Sequence, residues 1–419
     1  MDKIIVNGGN PLNGKIKIGG AKNAVLPIMT ACLLAPGNYK LTNVPDLRDT
    51  RTMSELLRRI GAVVSYENHT LLINTENCNN PEAPYDLVKT MRASFYVLGP
   101  LLARFGKSKV SLPGGCAWGP RPVDYHIKAF KELGANIELD SGYILATGNL
   151  NGTEINFENV SVGATGNVLM GAVTAQGKTI IKNAAQEPEI TLLCEFLNKM
   201  GAKISGQNSN ELTIEGVEEL KAVDEFEIVP DRIEAGTFLI ATAMTGGEIE
   251  LLDANPNHLK IVLTLLEEVG SVITLEDGNI KLKSPKFINP VDMTTAPFPG
   301  FPTDLQAQWM ALMTLGKGNS TVIDEVYLDR FTHIAELSRL GAKISLEKNR
   351  AKITGVEKLI GAQIMSTDIR ASASLIIAAL AAEGKSEISR IYHIDRGYEK
   401  IEEKFSRLGA KIWRESDGN

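Results

Sequence analysis

The chain has 419 residues, 43% of them apolar, enough for large buried cores and for two or three domains. Its 44 basic and 50 acidic residues leave a net charge of −6, which argues against nucleic acid or an anionic membrane as main partner. No run approaches the roughly 18 uninterrupted apolar residues of a membrane-spanning helix. The start, MDKIIVNGGN, lacks a signal-peptide pattern. Four scattered cysteines, without a CxxC pair or His-rich spacing, predict a reduced, cytosolic, metal-free protein.

Along the chain one pair of phrases returns six times. A polar head before small and apolar residues predicts a buried helix, and a later run closing on Gly-Ala or a near match predicts an amphipathic one. The first copy has Lys22-Asn23 before AVLPIMTACLL and closes at Gly61 in LLRRIGAVV; the second has Arg92 before ASFYVLGPLLARF and closes at Gly134. The third has Thr165 before NVLMGAVTA and closes at Gly201; the fourth has Asp231-Arg232 before AGTFLIATAM and closes at Gly270. The fifth has Thr303-Asp304 before LQAQWMALMTL and closes at Gly341; the sixth has Asp368 and Arg370 before SASLIIAALAA and closes at Gly409. The closing glycines lie about seventy residues apart, so one supersecondary unit is repeated, most simply as three plus three. Between the phrases each copy reads as strand, loop, helix and hairpin. In the third, GKTIIKNA is a strand, AQEPE a loop, ITLLCEFLNKM a helix, and KISGQ with ELTIEG a strand pair. The fold is therefore α/β, and residues peculiar to one copy are the candidates for chemistry.

The second copy alone carries extra residues, in LPGGCAWGPRP at 112–122. Its proline and glycine exclude helix and central strand and predict an exposed loop. Cys116 there has Arg121 as a nearby cation, which favours a reactive thiolate. Cys32 and Cys194 lie on apolar runs and read as inert, and Cys78 in ENCNNP reads as a surface residue. Arg48, Arg121, Arg330 and Arg396 occupy loops, and Lys22, Arg92 and Arg370 occupy helix starts. Equivalent positions in a repeat face one side, and converging Arg and Lys suit a phosphate or carboxylate ligand. Solvation is the plain alternative for any one of them. Asp49, Asp124, Asp231, Asp304 and Asp368 are candidate general bases. Simple N-capping accounts for Thr165, Thr303 and Thr367. His126, His258, His333 and His393 show neither triad nor metal spacing and read as structural.

On GGAKNAVLPI (19–28), MRAS (91–94), LPGGCAWGPRPVD (112–124), VSVGAT (160–165), PDRIEAGTFL (230–239), FPTDLQAQ (301–308), TDIRASASL (367–375) and RIYHIDRGYE (390–399), the chain resembles the enolpyruvyl transferases over its full length. The resemblance implies an inside-out α/β barrel fold: two similar domains, each three βαβαββ repeats around buried helices. It divides the chain into residues 22–229, with the Cys loop 112–122, and residues 1–21 plus 230–419, with the active site in the cleft between. It implies phosphoenolpyruvate and UDP-N-acetylglucosamine as substrates and no cofactor. Lys22, Asn23, Arg121 and Arg396 correspond to the phosphoenolpyruvate contacts, and Asp368 and Arg370 to a charged cluster in which Arg370 holds the phosphate side. Arg330 counts among the substrate contacts. Asp304 corresponds to the residue held against the acceptor hydroxyl, as base or orienter, and Cys116 to the thiol that protonates C3 of phosphoenolpyruvate. UDP-sugar contacts carry over onto Arg92, Arg121, Pro122, Val123, Asp124, Tyr125, Val160, Ser161, Val162, Gly163 and Val326.

Asn159 stands where the family often has Lys, Tyr96 where it often has Trp, and Trp118 where it has a smaller aliphatic residue. A transferase acting on shikimate 3-phosphate is a second reading, opposed by the Cys loop. A silent UDP-sugar-binding paralogue is a third, opposed by Lys22, Cys116, Asp304 and Arg396 together. A redox-sensing thiol is a fourth, with no resolving cysteine near Cys116 in the chain.

Overall fold

The computed structural model describes residues 2–112, 123–276 and 278–416. Two compact units divide the chain, one of residues 1–19 with 230–419 (unit 1) and one of residues 20–229 (unit 2). Among the described residues the strands form six four-stranded sheets, three in each unit. Each sheet repeats one pattern. In the third copy Glu154–Asn156 runs parallel to Lys178–Lys182 (Glu154 opposite Ile180), and Lys178–Lys182 runs antiparallel to Glu211–Glu215 (Lys178 opposite Glu215). Lys203–Ser205 closes the antiparallel pair. Alternation sets the faces: Thr179 and Ile181 are buried while Lys178 is exposed. Residues 3–7 and 12–17 supply strands to two sheets of unit 1.

The six closing glycines explain the repeat's most regular signature. Gly61, Gly134, Gly201, Gly270, Gly341 and Gly409 all take φ between 92° and 114° just after a helix. The left-handed geometry ends the helix and starts the next strand, and a side chain there would cost about 1–2 kcal/mol. The apolar helices are buried all round, as in Val162–Ala172 of unit 2 and Arg232–Thr245 of unit 1. Each unit has its own core around them. No described helix is long and apolar enough to cross a membrane.

Three expectations are corrected at the helix starts. Ser161, not Thr165, caps Val162–Ala172, its Oγ accepting from the Ala164 N–H at 3.2 Å. Asp368, not Thr367, caps Ile369–Ala381, because a carboxylate reaches both the Arg370 and Ala371 N–H groups. Thr303 caps nothing; its hydroxyl is given to Asp324. Cys78 is likewise no surface residue. At 6% exposure it lies beneath the helix end at Gly61, held there by the Asn79 and Asn80 N–H groups donating to the Ile60 carbonyl. Cys32 and Cys194 are buried as expected, and burial pushes the Cys194 thiol up to about 12.

Each core holds one buried histidine. Burial foremost, then the nearby Arg92, pushes His126 down to about 3; burial and Arg330 do the same to His333. Both stay neutral in the fold while the unfolded chain protonates near pH 6.5. Their folded values lie below the unfolded one, so stability falls as pH drops from about 6.5 towards 3. At pH 5 the expected loss is about 2 kcal/mol for each histidine. Urea midpoints at pH 7 and pH 5 check this, and equal midpoints would contradict it.

Candidate active site

Unit 2 pairs two charges at the start of adjacent helices. Lys22 opens helix Lys22–Ala31 and Asp49 lies in the first turn of Arg48–Ile60. The Lys22 Nζ sits 2.8 Å from Asp49 Oδ2, with Lys22 8% and Asp49 3% exposed. Buried charges persist only when paired, so Asp49 aims the ammonium. Asn23, half-buried, follows on the same turn.

A second cluster of unit 2 gathers around the start of Val162–Ala172. The Asn159 side-chain amide donates to the Tyr125 hydroxyl at 3.0 Å, and the Tyr125 ring meets Phe157 edge-on at 6.0 Å. Residues 160–163 are half-buried and lead into a helix whose N-terminal N–H groups favour an anion. Behind them, Asn167 donates to the Phe95 carbonyl and to His126 Nδ1 (3.0 Å) and accepts from the Gly99 N–H. His126 Nε2 faces Gly163, where an added Cβ would come within 3.3 Å. Tyr96 packs on Gly166, and burial keeps its hydroxyl protonated beyond the usual range. Asp124 and Arg92 are exposed, and Val123 is buried. Cys116, Arg121, Pro122 and Trp118 lie outside the described residues.

Unit 1 centres on Asp304. Arg330 Nη1 donates to its Oδ1 at 2.8 Å and Arg370 Nη2 to its Oδ2 at 2.6 Å. Burial alone would raise the Asp304 carboxyl; the charges of Arg370 and Arg330 more than reverse that and hold it well below the usual carboxylate range. Arg370, 3% exposed, stacks over the Tyr398 ring, with centroid distance 5.5 Å, and its charge lies near Asp231 as well. Tyr398 shares a buried hydrogen-bond cluster with Thr237 (2.8 Å) and Gln308 (3.2 Å), and Gln308 also donates to the Asp304 carbonyl. Arg330 lies over the Tyr327 ring. Arg396 ends the short turn Ile391–Arg396, which packs on Ile369–Ala381, the helix whose first turn carries Arg370.

The predicted residues thus fall into local groups: Lys22 with Asn23, Tyr125 with 160–163, and Asp304 with Arg330 and Arg370. Asp231 and Asp368 serve as helix caps, and Asp49 is the counter-ion of Lys22. Val326 is exposed, its N–H given to Asp324. The charged helix starts at Lys22, Arg232 and Arg370 are buried and do not face solvent, because each meets a carboxylate or aromatic partner within its own unit. Tyr398, Gln308 and Asp324 escaped notice in the sequence, because single buried polar residues carry no pattern.

Residues 6–405 match the family described as EPSP synthase (3-phosphoshikimate 1-carboxyvinyltransferase). The chain belongs to this enolpyruvyl transferase family. It is 53% identical over 419 residues, covering 99% of both chains, to the UDP-N-acetylglucosamine 1-carboxyvinyltransferase of Chlorobaculum parvum. It is 54% identical, at the same coverage, to that of Chlorobium chlorochromatii. In fold it is similar to the enolpyruvyl transferase NikO from Streptomyces tendae (TM-score 0.90, 23% identity, 100% and 99% of the two chains). It is similar also to EPSP synthase from Acinetobacter baumannii (TM-score 0.79, 18% identity, 99% and 100%). These likenesses bear out the inside-out α/β barrel.

Proposed function

We propose that this chain transfers the enolpyruvyl group of phosphoenolpyruvate to the 3-hydroxyl of UDP-N-acetylglucosamine and releases phosphate. The observation that carries this is end-to-end similarity, above half identity, to carboxyvinyltransferases of that acceptor. The reaction needs no resident cofactor and places the chain at the entry to peptidoglycan synthesis, in the cytoplasm.

In the proposed sequence, Cys116 protonates C3 of phosphoenolpyruvate and positive character develops at C2. The sugar 3-hydroxyl adds at C2 and gives up its proton, forming a tetrahedral ketal that carries both the sugar ether and the phosphate. The bond from C2 to the phosphate's bridging oxygen then breaks, a C3 proton leaves, and the enolpyruvyl ether remains. Lys22, Asn23, Arg121 and Arg396 hold the phosphate and carboxylate, with Arg370 on the phosphate side and Asp368 beside it. Arg92, Arg121 to Tyr125, Val160 to Gly163, Val326 and Arg330 hold the UDP-sugar. Asp304 orients the hydroxyl. Its two-arginine clamp favours orientation over proton abstraction, since a carboxylate held so far below its usual range is a weak base.

Phosphate release should require both phosphoenolpyruvate and UDP-N-acetylglucosamine. Release with shikimate 3-phosphate as the sole effective acceptor would overturn the proposal. Cys116→Ser is expected to escape alkylation by the epoxide fosfomycin, read as an unchanged intact mass. Full labelling of that variant would remove the thiol from its assigned place.

A further inference from the structure

One position closes the first long strand of every copy. In the first, third, fourth and sixth copies it is Asn43, Asn183, Asp253 and Arg390, all with φ between 53° and 58°. Asn43 and Asn183 donate their amides to the carbonyls of Ile228 and Phe157, just past the parallel edge strand. There the residue ties one strand end to its neighbour. Asp324 holds the same place after strand Asn319–Ile323. It is fully buried, at 0% exposure. Its Oδ1 accepts from the Thr295 hydroxyl (2.7 Å) and from the Val326 and Tyr327 N–H groups (3.0 and 2.8 Å). Its Oδ2 accepts from the Thr303 hydroxyl at 2.7 Å.

Thr295 follows the parallel edge strand, so that bond repeats what the asparagines do. Among the described residues the Thr303 bond is peculiar to this copy, and it leads into the site. Thr303 Oγ1 accepts from Arg330 Nη1 at 3.2 Å, and the same nitrogen holds Asp304 Oδ1. Among the described residues the Asp324 carboxylate has these four partners, and none is a cation. Two threonine hydroxyls and two N–H groups replace the water a buried carboxylate loses, which fixes their directions in return.

We infer that Asp324 is a positioning residue for the Asp304 clamp. It locks the segment bearing Thr303 and Asp304 to the turn bearing Val326, Tyr327 and Arg330, so that the Arg330 guanidinium meets Asp304 at a fixed angle. The inference deepens the function proposed above, and its consequence for turnover rests on that reading. Its consequence for Arg330 does not.

The test compares Thr303→Val, Thr303→Ser and Asp324→Asn with the parent. Valine keeps the shape and removes the bridge; serine restores the hydroxyl. Asparagine either turns its NH₂ on the two backbone N–H groups, donor against donor, or turns it on Thr303 and reverses that bond, so that Oγ1 must accept from the amide as well as from Arg330. Below the unfolding midpoint, Thr303→Val and Asp324→Asn should lower kcat by about 10- to 100-fold, the cost of misplacing a clamp, and Thr303→Ser should return it to within about threefold. In protein labelled with nitrogen-15 arginine and free of substrate, the Arg330 guanidinium signal is assigned by its loss in Arg330→Lys. Its hydrogen exchange should quicken by about tenfold or more in the valine and asparagine variants and stay slow in the serine variant. Unchanged Arg330 exchange in Thr303→Val, or turnover within about twofold of the parent, overturns the positioning role. If the parent itself releases no phosphate from the two proposed substrates, the function fails, and the exchange measurement still decides Asp324.

Discussion

Asp304→Asn is expected to lower turnover by about 10²-fold, the scale of a reacting group left misoriented, while leaving affinity for UDP-N-acetylglucosamine nearly unchanged. Asparagine keeps an oxygen for one arginine but cannot serve both Arg330 and Arg370, which now reach separate carboxylate oxygens. Alanine would confound the result further, because it removes both the charge and every side-chain acceptor for Arg330 and the buried Arg370. Steady-state kinetics and calorimetric titration of the nucleotide sugar separate the two effects. Equal losses in both would move Asp304 from catalysis to binding. The clamp also sets a pH expectation. Because the folded carboxyl titrates below its unfolded value, it stays ionised at all working pH, and its share of stability is lost only as pH falls below about 4. Any acid limb of kcat/KM above pH 5 therefore belongs to another group, and Asp304→Asn should not shift it.

Lys22→Met is expected to destabilise unit 2 by about 3–5 kcal/mol, since it leaves Asp49 charged and buried without its ammonium. Part of any activity loss in that variant would then be a folding effect. The double change Lys22→Met with Asp49→Leu removes both charges and fills similar volume, which is often neutral for a buried pair. The urea midpoint should recover in the double variant while turnover does not, because the cation proposed to hold phosphoenolpyruvate is still missing. Recovery of turnover along with stability would show that Lys22 matters for packing alone.

The six-fold repeat was legible because its mark is a backbone requirement. Only glycine takes the left-handed turn cheaply, so the six helix ends stand out in sequence at Gly61 through Gly409. Element limits were less legible. The apolar run ASFYVLGPLLARF divides into a 3₁₀ turn, Arg92–Val97, and a helix, Leu98–Phe105. Restarting at Leu98 places Pro100 in a first turn, where its missing N–H costs no hydrogen bond. The electrostatics were least legible. Arg330 and Arg370 lie 26 and 66 residues from Asp304, and nothing local in FPTDLQAQ announces that both will grip it. Asp324 shares its strand-end place with Asn43, Asn183 and Asp253, and its Thr303 bond, formed with a residue 21 positions away, is what sets it apart. Cys78 misled because polar neighbours in ENCNNP suggest a surface, whereas the segment folds under a helix end.

Addition at C2 followed by loss of phosphate is the claim on which the rest depends, and it fixes which bond breaks. Phosphoenolpyruvate carrying oxygen-18 in the bridge between C2 and phosphorus should be turned over with UDP-N-acetylglucosamine and the released phosphate weighed by mass spectrometry. Cleavage between C2 and the bridging oxygen predicts that the label leaves with phosphate and that the sugar gains an unlabelled enolpyruvyl ether at its 3-oxygen. Unlabelled phosphate, with the heavy oxygen retained on the pyruvyl carbon, would contradict the account.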